Sequence, residues 1–181
     1  MCQIYVMRVL MFLSIVLAAI VTEIEVVKVY VQKVNSVPLI SSTLDPSFSR
    51  IMLDLHNEKR QFHRSQPLRW NASLYEFAAN YASSYDCSGQ LVHSGGPYGE
   101  NLAAGYSTSG AVNAWYDEGK TYQYGTESVY DHFTAVVWNT TNSIGCSYKE
   151  CNNAWGTYII CSYYPPGNIV GSSKRNVFPP L

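Results

Sequence analysis

Apolar residues recur at helical spacing in two segments between residues 45 and 85. The first segment follows Asp45-Pro46, where the aspartate can cap a helix and the proline fits its first turn, and Pro67 bars continuation. The second follows Asn71, another capping residue type. Both patterns predict amphipathic helices, with apolar positions Phe48, Ile51, Met52, Leu55 and Phe62 in the first and Leu74, Phe77, Ala78, Tyr81, Ala82 and Tyr85 in the second.

Two further helices and two strands are predicted later in the chain. A third helix spans about Ser109–Lys120, and a short fourth helix runs from its cap Asp131 to Trp138. Strands are predicted over Ser143–Tyr148 and Tyr158–Tyr164, on either side of a turn-forming segment. Helices first and strands late predict an α+β fold, in the form of a layered αβα domain.

The N-terminal apolar run, Val9–Val21, is interrupted only by Ser14. At 1.5 Å per residue it spans about 20 Å as a helix, too short for a hydrocarbon core of about 30 Å. It predicts a secretory signal peptide over residues 1–21, with an N-terminal core helix as the alternative. We then expect a leader or linker over 22–47, one domain over 48–171 and a C-terminal tail over 172–181.

Composition narrows the function classes. The 181 residues include 12 Lys+Arg and 13 Asp+Glu, a net charge of −1 that gives no basic surface for nucleic acid. A charged fraction of 14% is too low for a disordered chain or a coiled coil. The charge balance gives no reason to expect permanent membrane attachment after signal cleavage.

Four cysteines remain once Cys2 leaves with the signal peptide, and in a secreted chain they predict two disulfides. If the hairpin turn is centred between Asn153 and Ala154, Cys146 lies directly opposite Cys161. Cys151 then remains for Cys87. A zinc site is the alternative, but the chain contains no Cys-x-x-Cys or His-x-x-x-His spacing.

Two histidines and two glutamates are the strongest candidates for chemistry. His93 precedes a glycine-rich loop that leads to Glu100, Glu118 lies near the end of the third helix, and His132 opens the fourth. Imidazoles and carboxylates that converge in a cleft can bind a divalent cation (Zn, Mg or Ca) or move protons. The alternative is that they are structural hydrogen-bonding groups that hold loops together.

The order and spacing of several motifs resemble the CAP superfamily of cysteine-rich secretory, antigen 5 and pathogenesis-related proteins. The resemblance covers about residues 49–171 and is closest to the secreted fungal branch. Its motifs are Leu55-His56-Asn57 with Arg60, Pro67-Leu68-Arg69-Trp70, His93-Ser94 leading to Gly99-Glu100-Asn101-Leu102, Ala114-Trp115-Tyr116 with Glu118, the segment from His132 to Trp138, and the segment from Tyr158 to Asn168.

This resemblance implies a three-layer αβα sandwich with a cleft that holds four residues, His93, Glu100, Glu118 and His132. It also implies the disulfides Cys87–Cys151 and Cys146–Cys161. One position departs from the family pattern: Ala135 stands where members usually carry Gln.

The resemblance offers several functions. Members of the fungal branch bind and help export sterols and fatty acids, whereas others are defence proteins, venom components or ion-channel ligands. An aromatic loop implicated in sterol capture corresponds to Tyr122, Tyr124 and Tyr130, although the gap between the last two is one residue longer than expected. Tyrosine offers a sterol an apolar face and a hydroxyl; the alternative is that these rings pack the loop onto the domain.

We therefore expect a secreted, non-enzymatic protein that binds sterols, with fatty acids as a second ligand class, and helps to export them. Its expected location is outside the cell, with the cell wall as one candidate. The alternatives are an extracellular or cell-surface interaction protein without lipid transport, and a metal-dependent hydrolase. The hydrolase is disfavoured because no nucleophilic Ser or Cys and no His-Glu-x-x-His motif is evident. Asn139 and, less strongly, Asn71 are predicted N-glycosylation sites.

Overall fold

The computed structural model describes residues 44–127 and 129–181. The predicted signal peptide (1–21) and most of the predicted leader (22–47) lie outside the described residues. In the part that is described, no helix combines the length and the apolar character needed to cross a bilayer.

Four α-helices form where the sequence predicts them: α1 (Pro46–Phe62), α2 (Ala72–Ser84), α3 (Thr108–Asp117) and α4 (His132–Val137). The side chains of Asp45 and Asn71 accept the backbone N–H groups of the first turns of α1 and α2, which confirms both caps. The predicted third helix is shorter than expected, because at Glu118 the chain tightens into a 3₁₀ turn, Glu118–Thr121.

The sheet has four strands, β1 (Arg69–Trp70), β2 (Gly99–Ala104), β3 (Ser143–Glu150) and β4 (Thr157–Tyr164), in the order β1-β3-β4-β2. β1 is parallel to β3, and the other pairs are antiparallel. The predicted hairpin is confirmed and slightly longer than expected. β2 corrects the prediction of a glycine-rich loop, because this edge strand lacks the β-branched residues that typify strands.

Two disulfides fasten the sheet and the segment after α2. Cys146 and Cys161 are register partners in the β3–β4 hairpin and are bonded to each other. Cys87 is bonded to Cys151. The connectivity expected from the hairpin is confirmed, and no described cysteine remains free to ligate zinc.

The layers form a three-layer αβα sandwich. On one face of the sheet, Ala78 and Ala82 of α2 pack with Leu102, Tyr158 and Ile160. The larger core on the opposite face gathers α1, α3 and α4. α2 approaches so closely that a Cβ at Gly145 of β3 would overlap the backbone of α2, which explains the glycine there.

The buried side of α1 differs from the predicted stripe. Its buried residues are Phe48, Met52, His56 and Arg60, at i, i+4, i+8 and i+12, whereas Phe62 is half exposed. The helix therefore buries two polar side chains in its second half, where the apolar pattern had pointed to other positions.

Arg60 is buried without a carboxylate among its partners. Its guanidinium donates to four backbone carbonyls: Gln66 at 2.8 Å, Val136 and Trp138 at 2.9 Å each, and Thr141 at 2.7 Å. Burial lowers the pKa of Arg60 to about 10, which still leaves the guanidinium charged at neutral pH. Arg60 thereby ties α1 to the chain that leaves α4.

The segment 172–181 is not the loose tail that its polar composition predicted. Ser173, Asn176 and Val177 are buried. The Asn176 carbonyl accepts the Asn139 N–H at 2.9 Å, and Nδ1 of His63 bonds the Phe178 carbonyl at 2.6 Å. Polar residues remain in this buried position because the domain satisfies their hydrogen-bonding groups.

Replacing Arg60 with Met should destabilise the fold by about 3 kcal/mol or more, because three buried carbonyls and one part-buried carbonyl lose a charged donor together. Chemical denaturation of the oxidised protein measures the change. The exposed Arg50 of the same helix supplies the control: Arg50→Met should change the free energy of unfolding by less than about 0.5 kcal/mol. Equal effects of the two replacements would contradict the role of Arg60.

Stability should fall as the pH drops from about 6.5 to about 4, in part because of His56. This ring is fully buried, with Nδ1 bonded to the Met52 carbonyl and Nε2 to the Tyr163 hydroxyl, and burial lowers its pKa to about 4. The unfolded state therefore takes up the proton first, and roughly 3 kcal/mol is lost across that window. The difference in stability between wild type and His56→Gln should shrink as the pH falls; a pH-independent difference would contradict this.

Candidate functional site

The four predicted cleft residues form two His–Glu pairs at one end of the sheet. His93 pairs with Glu100, and His132 pairs with Glu118. In each pair Nδ1 of the imidazole lies 2.7 Å from a carboxylate oxygen. Because a carboxylate accepts, each Nδ1 carries the proton, and each Nε2 has no hydrogen-bond partner within the described residues.

Glu100 is the buried partner of the first pair. It lies on the edge strand β2, and its Oε1 accepts from Nδ1 of His93 and from the Ser94 N–H at 3.0 Å. Its Oε2 is buried and has no partner among the described residues. The His93 side chain is 64% exposed, so the pair presents its imidazole to the solvent.

Glu118 orients the second pair by holding both the ring and the backbone of His132. Its Oε1 accepts from the ring, and its Oε2 accepts from the His132 N–H at 2.9 Å, at the start of α4. The His132 ring also stacks on Trp115 of α3, with 6.2 Å between ring centroids. The break of α3 into a 3₁₀ turn at Glu118 thus places this carboxylate at the N-terminus of α4, where negative charge is favoured.

The two pairs share an open cleft of about 560 Å³, within the range of small-ligand sites. A trough of about 230 Å³ adjoins it and is lined by glycines and by Ala135, the position that departs from the family pattern. The cleft is predominantly polar and acidic, lined by His93, Glu100, Asn101, Glu118, Thr121, Tyr130, Asp131, His132 and Asn168.

Two cleft amides were missed as functional candidates. Nδ2 of Asn101 donates to the His132 carbonyl at 3.1 Å, and Nδ2 of Asn168 donates to the Asp131 carbonyl at 3.0 Å. They fix both ends of the Asp131-His132 step. Both residues lie within the motifs that resemble the CAP superfamily, and this was the available signal. Hydrophobic periodicity does not distinguish a functional amide from any other polar residue.

The four cleft residues were also considered as ligands for a divalent cation. Across residues 44–127 and 129–181, no three His, Cys, Asp or Glu side chains converge closely enough to hold a metal ion. Each glutamate of the cleft is already engaged by a ring and a backbone N–H. The Nε2 atoms of His93 and His132 are free of these contacts, but among the described residues no third such ligand joins them. We therefore derive no chemistry through a bound ion.

The three tyrosines of the predicted lipid loop have different surroundings. Tyr122 is buried against Phe133, with 5.4 Å between ring centroids, and it contacts Tyr124 edge-on at 5.0 Å. Tyr124 stacks on His63 at 6.2 Å. Tyr130 lines the acidic cleft instead, and its hydroxyl accepts the Gly171 N–H at 2.7 Å. In this conformation the first two rings pack the loop onto the domain.

Comparison with known proteins gives a consistent set of similarities. Residues 53–163 match the model of the CAP family, described as the Cysteine-rich secretory protein family. A probable pathogenesis-related protein of Candida albicans is 58% identical over 139 residues, covering 75% of this chain and 69% of that protein. Secreted protein RBT4 of the same organism is 48% identical over 141 residues, with 75% of this chain and only 39% of that protein covered.

Among solved structures, the venom allergen-like protein 4 of Schistosoma mansoni resembles this fold with a TM-score of 0.54 at 26% identity. The match covers 68% of this chain and 90% of that one.

Replacing Glu118 with Ala should destabilise the fold by about 1 kcal/mol, because the His132 ring and the first N–H of α4 lose their shared acceptor. Thermal and urea unfolding report the change. Asp117→Ala is the matched control, since this neighbouring carboxylate only pairs with the exposed Lys120 and should contribute little. A loss for Asp117→Ala as large as for Glu118→Ala would contradict the assignment.

Proposed function

Because the chain belongs to the Cysteine-rich secretory protein family (CAP), we propose that it is a secreted protein that binds a sterol or a fatty acid and helps to export it. Secretion is supported by the N-terminal apolar run, by the paired cysteines and by a relative named as a secreted protein. The cell wall is one extracellular location consistent with this proposal.

The acidic cleft is a poor host for such a ligand. Its walls carry Glu100, Glu118 and Asp131 beside the two histidines. A sterol has one hydroxyl and a fatty acid one carboxylate, so neither can compensate the three carboxylates that it would remove from water. We therefore place the lipid site outside the acidic cleft.

The observation that supports lipid binding best is an aromatic cluster formed between the loop that joins the 3₁₀ turn to α4 and the rings on which this loop packs. Neighbouring rings in it have centroids 5.0–6.5 Å apart. Such rings supply large apolar faces with hydroxyls at their edges. The members of this cluster are His63, Tyr116, Tyr122, Tyr124 and Phe133.

The hydroxyls of the cluster remain neutral donors. Burial raises the pKa of Tyr116, Tyr122 and Tyr124 above its ordinary value of 10. Neutral phenols can bond the sterol hydroxyl or the carboxylate of a fatty acid without introducing a buried charge. A sterol or a fatty acid, with one polar end and a long apolar body, therefore suits the aromatic cluster better than the acidic cleft.

Access to the cluster requires the loop to move. Side-chain bonds fasten it to the segment after β4: Glu127 accepts the Ser173 N–H at 2.9 Å and the Ser173 hydroxyl at 2.6 Å, and Tyr130 bonds Gly171. A ligand that buries about 200 Å² of apolar surface gains about 5 kcal/mol, which can offset the loss of two or three such bonds, one exposed and two part-buried.

Catalysis is not part of this proposal. All four described cysteines are in disulfides, so none can act as a thiolate nucleophile. The two His–Glu pairs hold no hydroxyl or thiol in a nucleophile's position among their hydrogen-bond partners. Their bonds order the loops and the helix start around the cleft.

Asn139 is the proposed glycan acceptor, followed by Asn71. Asn139 lies in the turn after α4, partly exposed, and its backbone N–H is bonded to Asn176. The side-chain oxygen of Asn71 is already engaged as the cap of α2. A glycan on either residue would modify a secreted surface without entering the cleft.

Labelled cholesterol and labelled palmitate should bind saturably to the purified, oxidised protein and be displaced by unlabelled ligand. Tyr122→Ala with Tyr124→Ala should weaken binding at least tenfold by removing most of the tyrosine surface of the cluster. Tyr106→Ala is the control, because this exposed tyrosine is outside the cluster.

A second variant tests the loop site even if the double replacement of Tyr122 and Tyr124 does not fold. Glu127→Ala removes the main fastening of the loop and leaves the rings intact, so ligand uptake should become faster. Saturable binding that none of these variants alters would exclude the loop site. No binding by protein shown to be folded would exclude lipid carriage and favour an extracellular interaction protein.

A further inference from the structure

Three aliphatic side chains project from two neighbouring loops beside the cleft. Val170 is 83% exposed, Ile169 49% and Val129 41%. Val170 and Gly171 form the corner of a turn closed by the Ser172 N–H to the Ile169 carbonyl, with Gly171 at a φ of +78°. We call Val129, Ile169 and Val170 the aliphatic tip.

The two loops of the aliphatic tip are held as one unit. The Tyr130 hydroxyl, next to Val129, accepts the Gly171 N–H, next to Val170. Glu127 accepts from Ser173 and from the Lys174 N–H at 3.2 Å. These bonds hold the two loops together in this conformation, and Val170 in particular exposes most of its apolar surface.

Two cations follow the aliphatic tip along the chain. Lys174 and Arg175 are exposed and follow Val170 closely, and four residues of extended chain put Lys174 at most about 14 Å from it. The Lys174 ammonium has no partner in the described part of the chain. Arg175 donates only to the Ser172 hydroxyl at 2.8 Å. Aliphatic side chains at a loop apex beside unpaired cations are what an anionic lipid surface attracts.

We propose that the aliphatic tip, with Lys174 and Arg175, docks the protein transiently on a membrane that exposes anionic lipid headgroups. Ile169 and Val170 enter the interfacial region, and the two cations meet the headgroups. This inference extends the proposed lipid-binding function, because the tip is joined to the loop that covers the aromatic cluster. Docking would bring that loop to the source of its ligand.

Charge decides which part of the surface faces the lipid. Glu127 and Asp131 are the acidic groups next to the tip; Glu127 is engaged by Ser173 and Lys174, and Asp131 caps α4. The acidic cleft beyond Tyr130 repels anionic headgroups, so the tip rather than the cleft makes contact.

A second exposed aliphatic site lacks these features. Val92 is 63% exposed, and its own segment contains no Lys or Arg from residue 71 to residue 119. The Lys149 ammonium reaches the neighbouring Tyr85, but it is bonded to the Ser83 and Tyr85 carbonyls. This site supplies the matched control for the tip.

Flotation with phosphatidylcholine vesicles, with and without phosphatidylserine, tests the proposal on the full secreted chain. Wild type should bind the phosphatidylserine vesicles, and added salt should weaken binding. Ile169→Ser with Val170→Ser should reduce partitioning at least tenfold. Lys174→Glu with Arg175→Glu should reduce it by about fivefold per cation or more, whereas Val92→Ser and Arg50→Glu should bind as wild type does.

Cholesterol delivered from cyclodextrin, without vesicles, separates docking from ligand binding. The Ile169→Ser, Val170→Ser protein should bind it as wild type does. Absence of vesicle binding by wild type, or tip variants that partition normally, would overturn the docking proposal. Vesicle binding without any cholesterol or palmitate binding would support docking while the proposed function fails.

Discussion

The buried guanidinium of Arg60 is the interaction on which the cleft side of this domain depends. A full positive charge inside a protein is normally balanced by a carboxylate, but here four backbone carbonyls share it. Val136, Trp138 and Thr141 belong to the end of α4 and the turn after it. Arg60 thus positions the helix whose first residue is His132, and the buried C-terminal segment then closes over the same turn.

The acidic cleft and the aromatic cluster are separate environments that share α4. His132 at the start of the helix faces the cleft, whereas the next residue, Phe133, packs under the tyrosine loop. Glu118 and Asn101 fix the polar side. A lipid that enters beside Phe133 would therefore leave the His–Glu pairs in place, and this division is the core of the proposed function.

Much of the fold could be predicted from the sequence, because capping residues, the spacing of apolar residues and the opposed cysteines each depend on local structure. The helix caps Asp45 and Asn71 and the Cys146–Cys161 pair are examples. The buried side of α1 could not be predicted from the sequence, because two of its residues, His56 and Arg60, are polar. A hydrophobic pattern does not show that such side chains are buried with their hydrogen bonds satisfied. The segment 172–181 was wrongly predicted to be a tail for the same reason, since its buried residues include the polar Ser173 and Asn176.

For the candidate site, motif resemblance brought together the right four residues, but their geometry needed the structure. Spacing along the chain could not show that each His is bonded to its own Glu, or that Glu118 also holds the backbone of α4. Nor could it separate Tyr122 and Tyr124, in the cluster, from Tyr130 at the cleft. That separation depends on how the loop folds back across Phe133.

NMR of ¹³C-labelled aromatic and histidine rings during titration with cholesterol tests the central claim most directly. Our account predicts that the resonances of Tyr122, Tyr124 and Phe133 shift saturably, while those of His93 stay unchanged. Saturable shifts at His93 and His132 with no change in the tyrosine cluster would place the ligand in the acidic cleft and contradict the account.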